Sequence, residues 1–385
     1  MKEEKKLIFD ILEKVKGRSD MDWVEIRDAY NLDCHPDTLR KASVGIKMAA
    51  DAGCLDFDKA DVDDYAEIYI AKKQFYDQRR EYNKLLTEEA RKRHVEEELI
   101  RCAEALNREK ILTPVHHNES PWVAHEREAV LFLADWHFGI HSDNVWNRYS
   151  PEIADARIQR LMEKVGQKLC ENGINKLHIV ILGDMISGAI HNSIRVQCNE
   201  TAVDQLMLVS ERLAELISEL ANNVCTVEVY CTYGNHARTV ANLGDSIHAD
   251  NLERIIPFWL KQRLKYMEYI TINEGNSYEL LRICACGHEI AAVHGDLDAG
   301  KSNSMLTMSV LYEKNFGRKM EYLVMGHFHK RYSDENLGIE QIGVGSLCGT
   351  DEYAKNKRLF SKPSQTLLIF DEDGLDSIHD IILSQ

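Results

Sequence analysis

Apolar positions recur at several spacings along this chain of 385 residues, and each spacing predicts a different kind of element. Leu7, Ile8, Ile11, Leu12 and Val15 share one helical face, and Trp23, Ile26 and Tyr30 share another within 22–30. After a break at 31–36, Pro36 suits the first position of a third helix that ends before Gly53. Residues 1–60 are therefore expected to be an all-α domain with a helix-turn-helix outline. Arg40, Lys41 and Lys47 lie on or near the helix that enters the major groove in DNA-binding versions of that motif. A small helical bundle used for assembly gives the same pattern.

Residues 61–112 predict one long charged helix. Ile68, Phe75 and Tyr82 are spaced by seven, and Val95, Leu99, Cys102 and Leu106 step by four, three and four. That is the seam of a coiled coil, so the helix either pairs two copies into a homodimer or packs back on its own chain. Arg79-Arg80 and the run 91–94 read as solvated charge. Residues 113–127, with Pro114, Pro121 and the adjacent His116 and His117, have no apolar periodicity and read as a linker.

Beyond residue 128 one design is used five times, as an apolar run stops abruptly in residues able to bind metal. The run from Ala129 ends in Asp135-Trp136-His137, the run from Leu177 in Gly183-Asp184, and the run from Val227 in Gly234-Asn235-His236. Ile290 leads to His294-Gly295-Asp296, and Tyr322 leads to Gly326-His327-Phe328-His329. Short apolar runs of this kind predict buried strands, and ligands gather at the carboxyl ends of such strands. Amphipathic helices are expected between them over 153–170, 202–220 and 246–264.

Composition narrows the class. No apolar run approaches the roughly 20 residues of a membrane span, and the amphipathic start is unlike a signal peptide, so the expected setting is the cytoplasm, without membrane partners. The 10 cysteines include no CxxC pair, so they are expected to be reduced, mostly buried thiols. A net charge of -16 argues against a globally basic nucleic-acid binder.

Aspartate, asparagine and imidazole together favour borderline cations, manganese first, with iron and zinc also compatible, over the all-oxygen shells of calcium or magnesium. The series DxH, GD, GNH, H and GHxH, in that order over 128–385, resembles the calcineurin-like metallophosphoesterases. The resemblance implies a β-sandwich flanked by helices, a mixed α/β (α+β) fold, and a pair of divalent cations that activate water against a phosphate ester. Carried over by position, Asp135, His137 and His329 would hold one cation, and Asn235, His294 and His327 the other. Asp184 would bridge both, and His236 would be the catalytic imidazole.

Departures from the pattern bear on substrate. Gly183-Asp184 continues as Met185-Ile186-Ser187-Gly188, without the arginine by which Ser/Thr protein phosphatases of the superfamily grip a phosphoprotein. Ala237-Arg238 follows the GNH motif where most members have an acid, which leaves the orienting partner of His236 open and adds a cation. His191 and Arg195 fall just after the second motif, where DNA-repair nucleases of the superfamily carry an extra histidine. His191, Arg195 and Arg238 are therefore candidate substrate contacts. The whole arrangement also resembles phage-borne phosphoesterases compared with DNA-repair exonuclease subunits, which would place it in the host cytoplasm. Residues 345–354 and Pro363-Ser364-Gln365 match that group. The leading expectation is a phosphodiesterase or nuclease acting on DNA. The alternatives are a phosphomonoesterase or nucleotide phosphodiesterase with an assembly-only amino-terminal region, and a binding protein that merely retains the fold.

Overall fold

The computed structural model describes residues 2–51, 62–112, 127–190, 192–240, 242, 245–273, 280–298 and 304–384. The chain divides into two compact units, Met1–Glu97 and Glu98–Gln385. The linker expected at 113–127 lies, up to residue 126, outside the described residues. Among the described residues no helix is long and apolar enough to cross a membrane.

The first unit contains α1 (Lys2–Val15), α2 (Trp23–Ala29), α3 (Pro36–Asp51) and most of α4 (Val62–Glu109). Asp22 caps α2 through the amides of Val24 and Glu25, and Glu25 returns a bond to the Asp22 amide, which fixes where that helix starts. Leu12 and Ile26 are buried, and the Tyr30 hydroxyl donates to Asp10 at 2.5 Å. The last turns of α4 belong to the second unit, where Leu99 and Ala103 pack with Trp259.

That second unit is a two-sheet sandwich. Its first sheet has the order β13-β12-β1-β4-β5-β6. These strands are β1 (Glu128–Leu133), β4 (Lys176–Ile181), β5 (Thr226–Cys231), β6 (Ile270–Asn273), β12 (Ser364–Asp371) and β13 (Gly374–Ile382). The second sheet has the order β10-β11-β9-β8-β7, made of β7 (Leu281–Ala285), β8 (His288–Val293), β9 (Tyr322–Met325), β10 (Tyr332–Asn336) and β11 (Ile339–Gly343). A hairpin of β2 (Ser142–Asn144) and β3 (Asn147–Tyr149) stands apart.

Strand periodicity decides which side chain meets which layer. In β1, Val130 and Phe132 face the second sheet and meet Ile283, Ile290 and Val324. Their neighbours Ala129, Leu131 and Leu133 face α5 (Pro151–Glu171) and α7 (Ala202–Ala221), which present Leu161, Val165, Leu213 and Ile217. On the far side of the second sheet, Leu323 and Met325 pack on Met305, Met308 and Tyr312 of α9 (Ser304–Phe316). The result is the sandwich flanked by helices that the motif series implied.

Two of the three expected helices have the expected span, and the third is shorter. Residues 246–251 are not helical; a 3₁₀ turn at Leu252–Arg254 opens directly into α8 (Ile255–Arg263). Asn251 caps that turn through the Glu253 amide, so the helix starts where a capping side chain is available. The short α6 (Asn192–Arg195) and α10 (Glu352–Asn356) complete the unit. Of the nine described cysteines only Cys231 and Cys348 are buried, fewer than expected, and all nine are free.

Candidate metal centre

The loops after β1, β4, β5, β8 and β9 bring the predicted ligands together. β1, β4 and β5 are parallel neighbours, as are β8 and β9 of the facing sheet, so five strand ends open on one edge of the sandwich. Asp135, His137, Asp184, His327 and His329 all have φ between 46° and 64°. This left-handed region costs a non-glycine residue on the order of 1–3 kcal/mol. Five strained residues among the seven expected ligands show that the fold holds these side chains against local preference.

Asp184 stands at the centre. Its Oδ1 accepts from the His236 amide at 2.8 Å, and its Oδ2 lies 3.2 Å from His294 Nε2 and 4.0 Å from His236 Nε2. On one side, Asn235 Oδ1 is 3.3 Å from His294 Nε2, and the His294 and His327 rings are 5.1 Å apart. On the other, His137 Nε2 and His329 Nε2 are 3.1 Å apart, and Asp135 Oδ1 is 3.6 Å from His329. Asp135 accepts the His327 amide at 2.9 Å through Oδ2. Gly234 is required where these loops touch, because a Cβ there would lie 2.1 Å from Asp184 Oδ1.

The donor set fits divalent cations. Donor atoms of Asp184, His294 and His327 lie within 4.8 Å of one another, as do those of His137, Asp184 and His236, and those of His137, His329 and Cys348. Asp135 Oδ1 is buried without a hydrogen bond. Burial disfavours the His294 cation, yet the Asp184 carboxylate beside it prevails and lifts the pKa to about 10. The acids thus demand positive charge in a place where burial makes it costly, the demand a metal ion meets. His294 Nδ1 lies 2.9 Å from the Leu182 carbonyl, which directs Nε2 to the cluster, as in the outer-shell contacts of metal-binding histidines. Burial first, then the neighbouring His236, holds the His137 pKa well below its usual value, so its ring is neutral and able to ligate.

The residue-profile of the calcineurin-like phosphoesterase family matches residues 129–337, more than half of the chain. The chain belongs to that family. No curated protein matches it significantly. Among solved structures it is similar to a novel archaeal phosphodiesterase, at 14% identity over 66% of this chain and 99% of that one, with a TM-score of 0.34. Another is Vps29 complexed with zinc from Entamoeba histolytica, at 14% identity over 66% of this chain and 99% of that one, TM-score 0.29. A predicted phosphoesterase from Streptococcus pneumoniae matches at 10% identity over 67% of this chain and 99% of that one, TM-score 0.29. The phosphoesterase is thus a metal-dependent hydrolase by family.

Other sequence candidates fall differently. His236 lies inside the cluster, its ring 4.5 Å from that of His137, and its Nδ1 is 3.2 Å from the Ser187 carbonyl. Ser187 therefore fills the orienting place that the sequence left open. Arg238 is buried, and its Nε has no hydrogen-bond partner among the described residues. Arg195 is exposed on α6 and outside the ligand groups, and His191 lies outside the described residues.

Three residues that sequence reading missed complete the centre. Glu253 is buried and accepts from the amides of Asp184, Met185, Ile186 and Gly234 at 2.5–3.2 Å, so one carboxylate ties the second motif loop to the third. Burial, then the charge of Asp184, pushes its pKa up to about 7, opposed by the Gly234 and Ile186 amides. Gln365 clamps the first loop, accepting from the Ala134 amide and the Trp136 indole and donating to the Ala134 carbonyl. Cys348 closes the His137 and His329 side, its thiol kept protonated by burial and by Asp351. Gln365 and Cys348 left a trace in the sequence, in the matches at Pro363-Ser364-Gln365 and 345–354, whereas Glu253 left none.

Proposed function

We propose that this phosphoesterase is a phosphodiesterase acting on DNA, with two divalent cations, manganese first among them. Asp135, His137 and His329 would hold one cation, Asn235, His294 and His327 the second, and Asp184 both. When bound, such a pair supplies a water of lowered pKa and neutralises charge on the phosphate. The observation that carries this reading is the convergence of seven donor residues at one edge of the sandwich, Asp184 central among them and five of the seven in strained backbone.

The chain's own residues would do the rest. His236 is anchored by Nδ1–H donating to the Ser187 carbonyl, so Nε2 is left toward the leaving oxygen and would give it a proton from the imidazolium form of the ring. Arg238, two residues on, is a buried guanidinium suited to a phosphate oxygen. Arg40 and Lys41 on α3 would add contacts to a duplex.

The segment Met185-Ile186-Ser187-Gly188 lacks the arginine that grips a phosphoprotein, which disfavours a protein phosphatase. The test compares a linear duplex, a single strand, a dinucleotide and a phosphomonoester in manganese. Cleavage of the first three is expected. Turnover of the monoester alone would replace this reading with a phosphomonoesterase.

A further inference from the structure

The β2–β3 hairpin places Val145 and Trp146 at its two-residue tip, where turn chemistry favours glycine, asparagine or aspartate. Asn144 makes the turn possible by accepting the amides of Trp146 and Asn147 through Oδ1 at 3.0 and 3.1 Å. The chain thereby presents an indole to solvent, 43% exposed, although a polar residue would serve the turn better. Facing it is Phe360, 57% exposed, with ring centroids 6.1 Å apart at 82°. Two aromatic rings from separate segments meet here, outside every core cluster.

Both segments are fastened to the wall of the metal centre. Asn147 Nδ2 donates to the carbonyls of Cys348 and Thr350, and buried Arg157 donates to Cys348, Leu347, Arg148 and Asn147. Next to Phe360, the Ser361 amide donates to the Thr350 hydroxyl at 3.0 Å, which itself donates to the Ser361 carbonyl. Cys348 in turn sits within 4.8 Å of donor atoms of His137 and His329. The ring pair is thereby tied to the wall of the centre through Asn147, Cys348 and Thr350. The surroundings are basic. The hairpin and residues 351–362 carry Arg148, Lys355, Lys357, Arg358 and Lys362 against Asp143, Asp351 and Glu352, a local excess of positive charge in a chain of net charge -16.

We propose that Trp146 and Phe360 form a stacking platform for an unpaired base of a DNA strand whose phosphodiester occupies the metal centre, an inference that rests on the diesterase reading above. An exposed aromatic face beside positive charge is the arrangement that binds single strands, each stacked base contributing about 1–3 kcal/mol. Because Arg157 and Asn147 hold the segments rigid, little ordering is left to be done on binding.

The experiment measures binding and cleavage of oligothymidylate and of an abasic oligomer of equal length, by the full chain in manganese. Trp146→Ala should weaken oligothymidylate binding about tenfold, leave the abasic oligomer little changed, and keep the thermal unfolding midpoint. Trp146→Phe should restore most of the loss. Equal weakening on both oligomers, or no weakening on either, would overturn the platform. If oligothymidylate binds with this Trp146 dependence but is never cut, the platform stands and the diesterase reading falls. If it is cut with no Trp146 dependence, the reverse holds.

Discussion

His236 and Glu253 show how single residues divide the work of the centre. His236→Asn removes the only proton donor assigned to the leaving oxygen while retaining a polar side chain of similar size. Turnover of a nucleoside diester should fall about 10²–10⁴-fold, and a nitrophenyl ester, whose leaving group is already a stable anion, should lose much less. Metal content measured on the same preparation should be unchanged. Because His236 also lies within 4.8 Å of donors on His137 and Asp184, loss of metal would instead make it a ligand. Glu253→Gln tests positioning. An amide in place of the carboxylate turns a donor toward backbone amides, losing at least one charge-assisted bond and opposing another. Unfolding stability should drop by about 3 kcal/mol in a denaturant titration. An unchanged midpoint would show that the loops hold without it. That Asp135 and His294 would meet at one cluster was legible in sequence, because side-chain identity and a preceding apolar run mark both. Glu253 was not, since no local spacing announces a residue whose role comes from another loop folding onto it, and Cys348 fell in the matched stretch 345–354 without a role assigned to it.

At the scale of elements, strands and helices were readable wherever burial is periodic. The runs of β1, β4, β5, β8 and β9 were found to within two residues, because each has an apolar, buried face and ends in candidate ligands. Which sheet each joins was not, because periodicity says that a strand is buried without saying against what. The expected helix over 246–264 failed over 246–251, ahead of the Asn251 cap, which outweighs apolar pattern. Element geometry also qualifies the DNA reading of α3. Asp37 pairs with both Arg40 and Lys41, at 2.7 and 3.1 Å, and so offsets two of the three charges meant for phosphate. These pairs are exposed and weak, so a duplex can compete for them. Asp37→Asn in the full chain should tighten duplex binding several-fold. Arg40→Ala should flatten the slope of log affinity against log salt by about 0.9. Anisotropy across a salt series reads both, and no change in either would make α3 an assembly element. The long α4 keeps Tyr82, Leu85 and Leu86 at least half exposed. If it pairs two copies, Leu85→Glu with Leu86→Glu should convert a dimer to a monomer in sedimentation.

For the molecule as a whole, the metal centre is also a question of charge and stability. Asp135, Asp184, Glu253 and Asp296 bring four carboxyl groups to one edge of the sandwich, in a chain that is already acidic overall. In their field, burial works against positive charge on His294 and His329, but the adjacent carboxylates favour it and raise both pKa values. Divalent cations would displace those protons and stabilise the folded chain by mass action, about 4 kcal/mol when free metal exceeds its Kd by roughly a thousandfold. For a unit of this size that corresponds to a rise in Tm on the order of 10 °C. Elemental analysis after reconstitution in manganese should give about two ions per chain, and EDTA should remove the Tm increment together with activity. Asp184→Ala should lose both ions, since Asp184 shares donor groups with His137 on one side and with His294 and His327 on the other, whereas His137→Ala should retain the ion held by Asn235, His294 and His327. One ion per chain in the parent and none in His137→Ala would mean a single site on the Asp135 side. A Tm indifferent to EDTA, with metal content near zero, would remove cations from the chemistry of this protein altogether.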